Sequence, residues 1–121
     1  MNTHSEAIHE HFDALMVHGR DAVAKTSLFP FVHIQPNGEK LIFQSADDLP
    51  DLSDLPFKSK ILDFKLLESC ESSAIYSVLC QRYDLDGNET VRVNSVFGLS
   101  KIENSWRVGW RHFLGEINSA S

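Results

Sequence analysis

The pattern of apolar and polar positions divides the chain into a helical start and a strand-rich remainder. Thr3 and Glu6 have the spacing of a capping box, which marks the first turn of a helix. Apolar residues then recur every three or four positions, as expected for one face of a helix: Ile8, Phe12, Leu15 and Met16. Gly19 ends this predicted helix, and the segment 20–27 ("RDAVAKTS") predicts a second, short one.

Beyond Pro30 the apolar period changes to two, which is typical of strands. Short strands are predicted at 31–35 and 40–44, joined by a turn at Asn37-Gly38. A proline-punctuated loop at 49–57 separates them from four further strands, predicted at 58–69, 73–84, 89–102 and 105–115. This order predicts an α+β fold in which N-terminal helices pack on a strongly curved, mostly antiparallel sheet, within a single domain spanning residues 1–121.

The predicted turns fix which residues share a face of the sheet. Two-residue turns at Asp86-Gly87 and Glu103-Asn104, and a turn centred on Glu71, collect most apolar side chains on one inner face. On the last strand, this register points alternate residues inward, beginning with the first tryptophan: Trp106, Val108, Trp110 and His112. It points Arg107, Arg111 and Phe113 outward, beside Leu79 and Val96 on neighbouring strands.

Charge and composition exclude several classes of partner. The 121 residues carry a formal net charge of −6, which argues against a nucleic-acid-binding role because such proteins present a basic face. No run of about 18 apolar residues is present, so no membrane-spanning segment is expected. The start "MNTHSEAIHEHF" is polar and acidic, unlike a signal peptide, and a cytoplasmic location is therefore expected.

Neither the cysteines nor the N-terminal histidines predict a metal site or a cofactor. Cys70 and Cys80 lack metal-ligand spacing and are expected to be reduced thiols that cannot bridge within the chain. His4, His11 and His18 recur every seven residues, a rise of about 10.5 Å along a helix, which is too long for two ligands of one ion. A solvated helix face is the expectation for these three histidines.

The inner face offers a small set of candidate ligand-binding residues. His112 is the best candidate for a general acid or base, with Ser95 opposite it on the neighbouring strand. Tyr76 could donate a hydrogen bond, and His33 would join the site only if its side of the first strand faces inward, which the sequence leaves open. Each of these polar residues could instead be a packed and hydrogen-bonded part of the core. The predicted ligand-binding set is Tyr76, Ser95, Phe97, Trp110, His112 and His33.

Several segments together resemble the nuclear transport factor 2-like superfamily, and its SnoaL-like and ketosteroid isomerase-like members in particular. They are the two N-terminal helices, "LFPFVHIQPNGEKLIF", the hairpin "RYDLDGNE", and a final strand "SWRVGWRHF" that opens with Trp106, Arg107 and Val108. The resemblance implies a curved sheet wrapped around the first helix, a pocket, and a homodimer formed through the outer sheet face.

The resemblance leaves the activity open. Isomerase-like members of the superfamily pair a carboxylate base with a tyrosine of the helix, but the predicted inward helix residues here include no tyrosine, and Asp63 is assigned to the outer face. The sequence therefore predicts a domain that binds a small apolar molecule without a cofactor. The alternative is an isomerase or dehydratase that transfers a proton within a small hydrophobic substrate.

Overall fold

The computed structural model describes residues 2–50 and 56–117, so the centre of the predicted loop, 51–55, lies outside the described residues. Helix α1 (His4–Asp13) runs into a π-helical turn (Ala14–His18), and α2 (Arg20–Lys25) follows. Six strands follow: β1 Ser27–Ile34, β2 Lys40–Phe43, β3 Lys58–Ser69, β4 Ser73–Tyr83, β5 Glu89–Ile102 and β6 Ser105–Ile117. A 3₁₀ turn (Ala46–Asp48) lies between β2 and β3. The prediction of two helices and six strands is confirmed, although β1 begins four residues before its predicted start.

Side chains at the N-terminus fix the start of α1 and attach it to the sheet. The predicted capping box is present: the Thr3 hydroxyl accepts from the Glu6 amide at 3.1 Å, and the Glu6 carboxylate accepts from the Thr3 amide at 2.9 Å. The Asn2 side chain exchanges two hydrogen bonds with the backbone of Trp106 on β6. None of the helices among the described residues is both long and apolar enough to cross a membrane.

The strands form one mixed sheet in the order β2-β1-β6-β5-β4-β3. Only β1 and β6 run parallel, and the other neighbouring pairs are antiparallel. The helices cover one face of this sheet, where Ala7 and Ile8 pack with buried residues such as Val78 and Val108. The α+β fold class is therefore confirmed, and the core lies between α1 and the inner face.

The predicted registers of the first two long hairpins are confirmed. Cys80 pairs with Val93, Val78 with Ser95, and Tyr76 with Phe97, as the Asp86-Gly87 turn implies. On the other side, Phe64 pairs with Val78 and Leu66 with Tyr76. A bulge between Ile61 and Asp63 leaves Leu62 40% exposed rather than on the buried inner face.

The predicted register between β5 and β6 is correct at one end only. Leu99 pairs with Val108 as predicted, but a bulge follows and Gly98 then pairs with Trp110. A shift of one residue moves the following side chains to the opposite face, and here it holds as far as Phe113, after which a second shift follows. The predicted inward orientation of Trp110 and His112 is therefore wrong, and Arg111 and Phe113, predicted to face outward, lie on the inner face instead.

Gly98 explains why the shifted register is possible. A Cβ atom at this position would lie 1.9 Å from Nε1 of Trp110, because the indole ring lies directly over the glycine on the outer face. Any side chain on residue 98 would occupy the space that the ring fills. Because Gly98 has no side chain, the indole ring of Trp110 fits over it on the outer face, beside the bulge.

We expect Gly98→Ala to lower the free energy of unfolding by about 2 kcal/mol, because the added methyl group must displace the indole. Gly109→Ala, at the unpaired residue of the bulge itself, is the control on β6, since a Cβ there meets only atoms at 3.9 Å or farther, and we expect it to cost less than about 1 kcal/mol. Urea denaturation measures both. Adding Trp110→Val should restore most of the stability lost in Gly98→Ala, and equal costs for the two alanine variants would contradict the packing described.

Candidate functional site

A pocket of about 330 Å³ lies between the end of α1 and the inner face of the sheet, and we call it the main pocket. Its volume is at the lower end of the range for small-molecule sites. Aromatic and aliphatic side chains form much of its wall, contributed by the helix, the segment before β3 and the central strands: Phe12, Leu15, Met16, Phe57, Phe97 and Phe113. The π-helical turn places Met16 at this wall, where its carbonyl accepts from Lys58 Nζ at 2.9 Å.

Three of the six ligand-binding residues predicted from the sequence line the main pocket. His33, Ser95 and Phe97 line it, which settles that His33 lies on the inward side of β1. Tyr76 is buried elsewhere in the core, where its hydroxyl lies 2.5 Å from His4 Nδ1. Trp110 and His112 do not reach the pocket, because the β6 bulge places them on the outer face.

Two arginines give the main pocket its charge. Arg111 of β6 and Arg82 of β4 both line it, and none of its described lining residues is Asp or Glu. Arg82 stacks over the Phe57 ring at 4.1 Å and over Phe113 at 5.2 Å, and its ion pair with the exposed Glu116 is long, at 3.8 Å. Burial, and then repulsion from Arg82, lowers the pKa of Arg111 to about 10, so both guanidinium groups are charged at neutral pH.

His33 holds Arg111 in place as a neutral imidazole. The Arg111 Nε–H donates to His33 Nδ1 at 3.1 Å. Because an arginine can only donate, Nδ1 must be unprotonated and Nε2 carries the proton. Burial, with repulsion from Arg111 and His112, lowers the pKa of His33 to about 4. His33 is therefore a hydrogen-bond donor through Nε2 at neutral pH.

His11 is a second neutral histidine, on α1, and the prediction of a solvated histidine face is wrong for it. Its side chain is 0% exposed and stacks on Phe31, with ring centroids 5.9 Å apart. Burial, and then repulsion from Arg111, lowers its pKa to about 3. Nδ1 lies 2.8 Å from the Thr26 hydroxyl, whereas Nε2 is buried without a hydrogen-bond partner among the described residues.

The tautomer of His11 follows from its partner. The single hydroxyl proton of Thr26 is donated to the carbonyl of Val23 at 3.0 Å. With the Thr26 proton assigned to the Val23 carbonyl, the Thr26 oxygen accepts from His11 Nδ1–H, and Nε2 is a bare acceptor. His11 lines a second cavity of about 230 Å³, the side pocket, which shares Leu15, His33 and Arg111 with the main pocket.

Local sequence signals point to two of the three charged or polar residues found at the pockets in addition to the predicted set, His11 and Arg82 but not Arg111. His11 lies three positions after Ile8 and four before Leu15, so it belongs to the same buried stripe. Arg82 shares its parity with Val78 and Cys80 on β4 and could have been assigned inward. Arg111 could not be assigned inward from the sequence, because the bulge that turns it inward lies beside a cross-strand contact, the packing of Trp110 against Gly98.

The thiols and acidic residues of the described part of the chain are not grouped as a metal site requires. Both cysteines are free, with Cys70 exposed and Cys80 buried at the pocket wall, where burial raises the pKa of the Cys80 thiol to about 11. Within residues 2–50 and 56–117, no three His, Cys, Asp or Glu side chains are grouped so that they could hold a metal ion.

Comparisons with solved structures identify the architecture. No protein-family model and no curated protein sequence matches the chain. An NTF2-like protein of unknown function from Pseudomonas putida KT2440 superposes with a TM-score of 0.71 at 10% identity, covering 95% of this chain and 91% of its own. The chain has the nuclear transport factor 2-like fold.

Two further structures show how varied the proteins with this fold are. A ketosteroid isomerase-like protein from Erwinia carotovora atroseptica superposes with a TM-score of 0.66 at 15% identity, covering 95% of this chain and 94% of its own. The association domain of C. elegans CaMKII superposes with a TM-score of 0.64 at 14% identity, covering 90% of each chain. The resemblance inferred from the sequence is thus confirmed at the level of the fold, and the protein is a pocket-bearing domain of this architecture.

The buried histidines predict a loss of stability in acid. Their pKa values in the folded state, about 3 for His11 and about 4 for His33, lie below the ordinary value of 6.5. The unfolded chain therefore binds more protons between pH 6.5 and pH 3–4, and stability falls as the pH decreases through this window. From pH 7 to pH 5, His11 alone should cost up to about 2 kcal/mol of the free energy of unfolding.

Urea denaturation at pH 7 and pH 5 measures this loss, and we expect His11→Phe to reduce it. The control is His9→Gln, at an exposed position on the same helix, which should leave the pH dependence unchanged. A His11 ring that titrates near pH 6.5 in NMR spectra would contradict its burial as a neutral group.

Proposed function

We propose that the domain binds a small organic monoanion, a carboxylate with an apolar body, in the main pocket. The observation that carries this proposal is the pair of guanidinium groups, Arg111 and Arg82, in a pocket whose described lining contains no carboxylate. Two like charges at a partly buried site repel each other, and an anion between them offsets both the repulsion and the lost hydration. A planar carboxylate also matches the hydrogen-bonding geometry of a guanidinium group.

The local charge balance favours a monoanion over a phosphate dianion. Arg82 already has a distant partner in Glu116, whereas Arg111 makes its one hydrogen bond within the described residues to the neutral His33. The pocket therefore has roughly one uncompensated positive charge. The hydroxyl of Ser95, itself only 4% exposed, and the Nε2–H of His33 are further donors at the same wall.

The aromatic wall supports an apolar body on the ligand. Phe97 is buried at the base of the pocket, and Phe57 and Phe113 flank Arg82. Burying an apolar group against such side chains contributes about 25 cal/mol per Å² of area removed from water. The proposed ligand is therefore the small apolar molecule expected from the sequence, but one that also carries an anionic group.

Binding is supported better than the proton-transfer alternative. His112, the predicted acid or base, lies on the outer face, and the imidazole that does line the main pocket, His33, has its unprotonated nitrogen occupied by Arg111. An efficient general base needs a free lone pair and a pKa near the working pH. With a pKa of about 4, and with Nδ1 already accepting, His33 meets neither condition.

The proposal predicts that 3-phenylpropanoate binds with one-to-one stoichiometry and that 3-phenylpropan-1-ol, which has the same body without the charge, binds much more weakly. Arg111→Met should weaken binding of the acid by at least about thirtyfold, as expected when one partner of a buried charge pair is removed. Arg107→Met removes an exposed arginine of the same strand and should leave the affinity unchanged. Isothermal titration calorimetry measures all four affinities, and equal binding of acid and alcohol would contradict the proposal.

We further propose that two copies of the chain associate through the outer face of the sheet. A row of apolar residues crosses neighbouring strands on this face through direct pairings: Ile42, Val32, Trp110, Gly98 and Ile75. Ile42 is 55% exposed in the single chain. Of the apolar residues that the sequence predicts on the outer face, Leu79 and Val96 are found there, whereas Phe113 is a pocket residue.

A stable interface of this kind should bury about 1,000 Å² or more in total. The fold is shared with a CaMKII association domain, which supports assembly as a use of this architecture. We expect Ile42→Glu to shift the protein toward the monomer, because it places a charge within the apolar row.

Light scattering coupled to size-exclusion chromatography tests this expectation. Leu85→Glu is the matched control, since Leu85 is 70% exposed in the turn between β4 and β5, away from the row. A wild-type protein that is monomeric at micromolar concentration would contradict the proposed dimer.

A further inference from the structure

The buried acceptor of His11 has no role in carboxylate binding as described above. A polar atom without a hydrogen-bond partner in the interior costs about 1–3 kcal/mol, and such atoms are rare in folded proteins. His11 Nε2 is such an atom, since its side chain is 0% exposed and Nε2 has no partner among the described residues. With the Thr26 proton assigned to the Val23 carbonyl, His11 donates through Nδ1–H and Nε2 is an acceptor.

This acceptor lies beside the proposed carboxylate site. The side pocket, which His11 lines, shares Arg111, His33 and Leu15 with the main pocket. His11 and the Arg111 guanidinium each lie 5.9 Å from the ring of Phe31, and His11 contacts the edge of Phe97, a main-pocket residue, at 6.1 Å between ring centroids. A ligand held by Arg111 is therefore adjacent to both cavities.

We infer that His11 is a specificity residue, which accepts a hydrogen bond from a neutral donor on the body of the carboxylate ligand. This inference rests on the proposed function, and it narrows the ligand class to carboxylic acids that also carry a hydroxyl group or an amide N–H. A ligand carbonyl is excluded at this position because two acceptors would face each other. An ammonium group is disfavoured because the positive charge of Arg111 acts on the same region, as the lowered pKa of His11 reflects.

The architecture of the site supports discrimination by polarity rather than size. Ser27, on the side-pocket wall, donates its hydroxyl proton to the Val23 carbonyl at 2.6 Å, so that proton is already used. The other walls near His11 are apolar, among them Val23, Phe31 and Phe43. The Ser27 oxygen can still accept a hydrogen bond but already has a partner, whereas His11 Nε2 has none among the described residues.

The test compares the affinities of three related acids for wild type and for a variant that lacks the acceptor. The probes are 3-phenylpropanoate and its 3-hydroxyphenyl and 4-hydroxyphenyl derivatives, titrated by calorimetry into wild type and His11→Phe. We expect wild type to bind at least one hydroxylated acid about tenfold more tightly than the parent acid, the gain of one well-placed hydrogen bond. His11→Phe keeps an aromatic ring between Phe31 and Phe97 but removes the acceptor, so the preference should disappear while the affinity for the parent acid is retained.

A measurement on wild type alone covers the case in which His11→Phe does not fold. The ¹⁵N resonance of His11 Nε2 should move toward lower frequency when the preferred hydroxylated acid is added, and it should not move with the parent acid. Equal affinity of wild type for all three acids, or a hydroxyl preference that persists in His11→Phe, would overturn the inference while leaving the carboxylate proposal intact. If none of the three acids binds, the proposed function and this inference both fail.

Discussion

The one-residue bulge in β6 opposite Gly98 determines which chemistry faces the interior of this protein. Before the bulge, Val108 packs in the core opposite Leu99; after it, Arg111 and Phe113 turn inward and Trp110 turns outward. Without that shift, the inner face at this position would carry an indole and an imidazole instead of a guanidinium group. The Arg111 charge in the main pocket and the place of Trp110 in the apolar row of the outer face are therefore two results of the same irregularity in the sheet.

The buried charge then shapes its surroundings. Arg111 lies among aromatic rings, and its hydration is replaced in part by one hydrogen bond to His33 and by contact with the face of Phe31. Its positive charge helps to keep His33 and His11 neutral, because protonating either would place a second cation beside it. At neutral pH the main pocket therefore has fixed donors, the guanidinium N–H groups and the Nε2–H of His33, and the adjoining side pocket is lined by the neutral His11.

Most of the fold was predictable from the sequence because its determinants are local. The capping box at Thr3 and Glu6 marks the helix start, Asn37-Gly38 and Asp86-Gly87 mark turns, and alternation over long strands gives both the element type and the registers of β3, β4 and β5. The parity of β6 was not predictable in this way. Regular alternation along β6 places His112 on the inner face. The bulge beside the contact between Trp110 and Gly98 interrupts that alternation, so Arg111 lines the pocket instead. Ser95 was assigned to the inner face correctly from the turn that pairs β4 with β5, whereas the sequence left the orientation of His33 open.

The most direct test of this account is a crystal structure of the protein with 3-phenylpropanoate. The account predicts that the carboxylate lies within about 3 Å of the Arg111 guanidinium group, with the phenyl ring against Phe97 and Phe113 and with Trp110 on the opposite face of the sheet. A structure in which β6 continues without the bulge, so that His112 rather than Arg111 lines the pocket, would contradict it. So would a carboxylate that binds away from both pocket arginines.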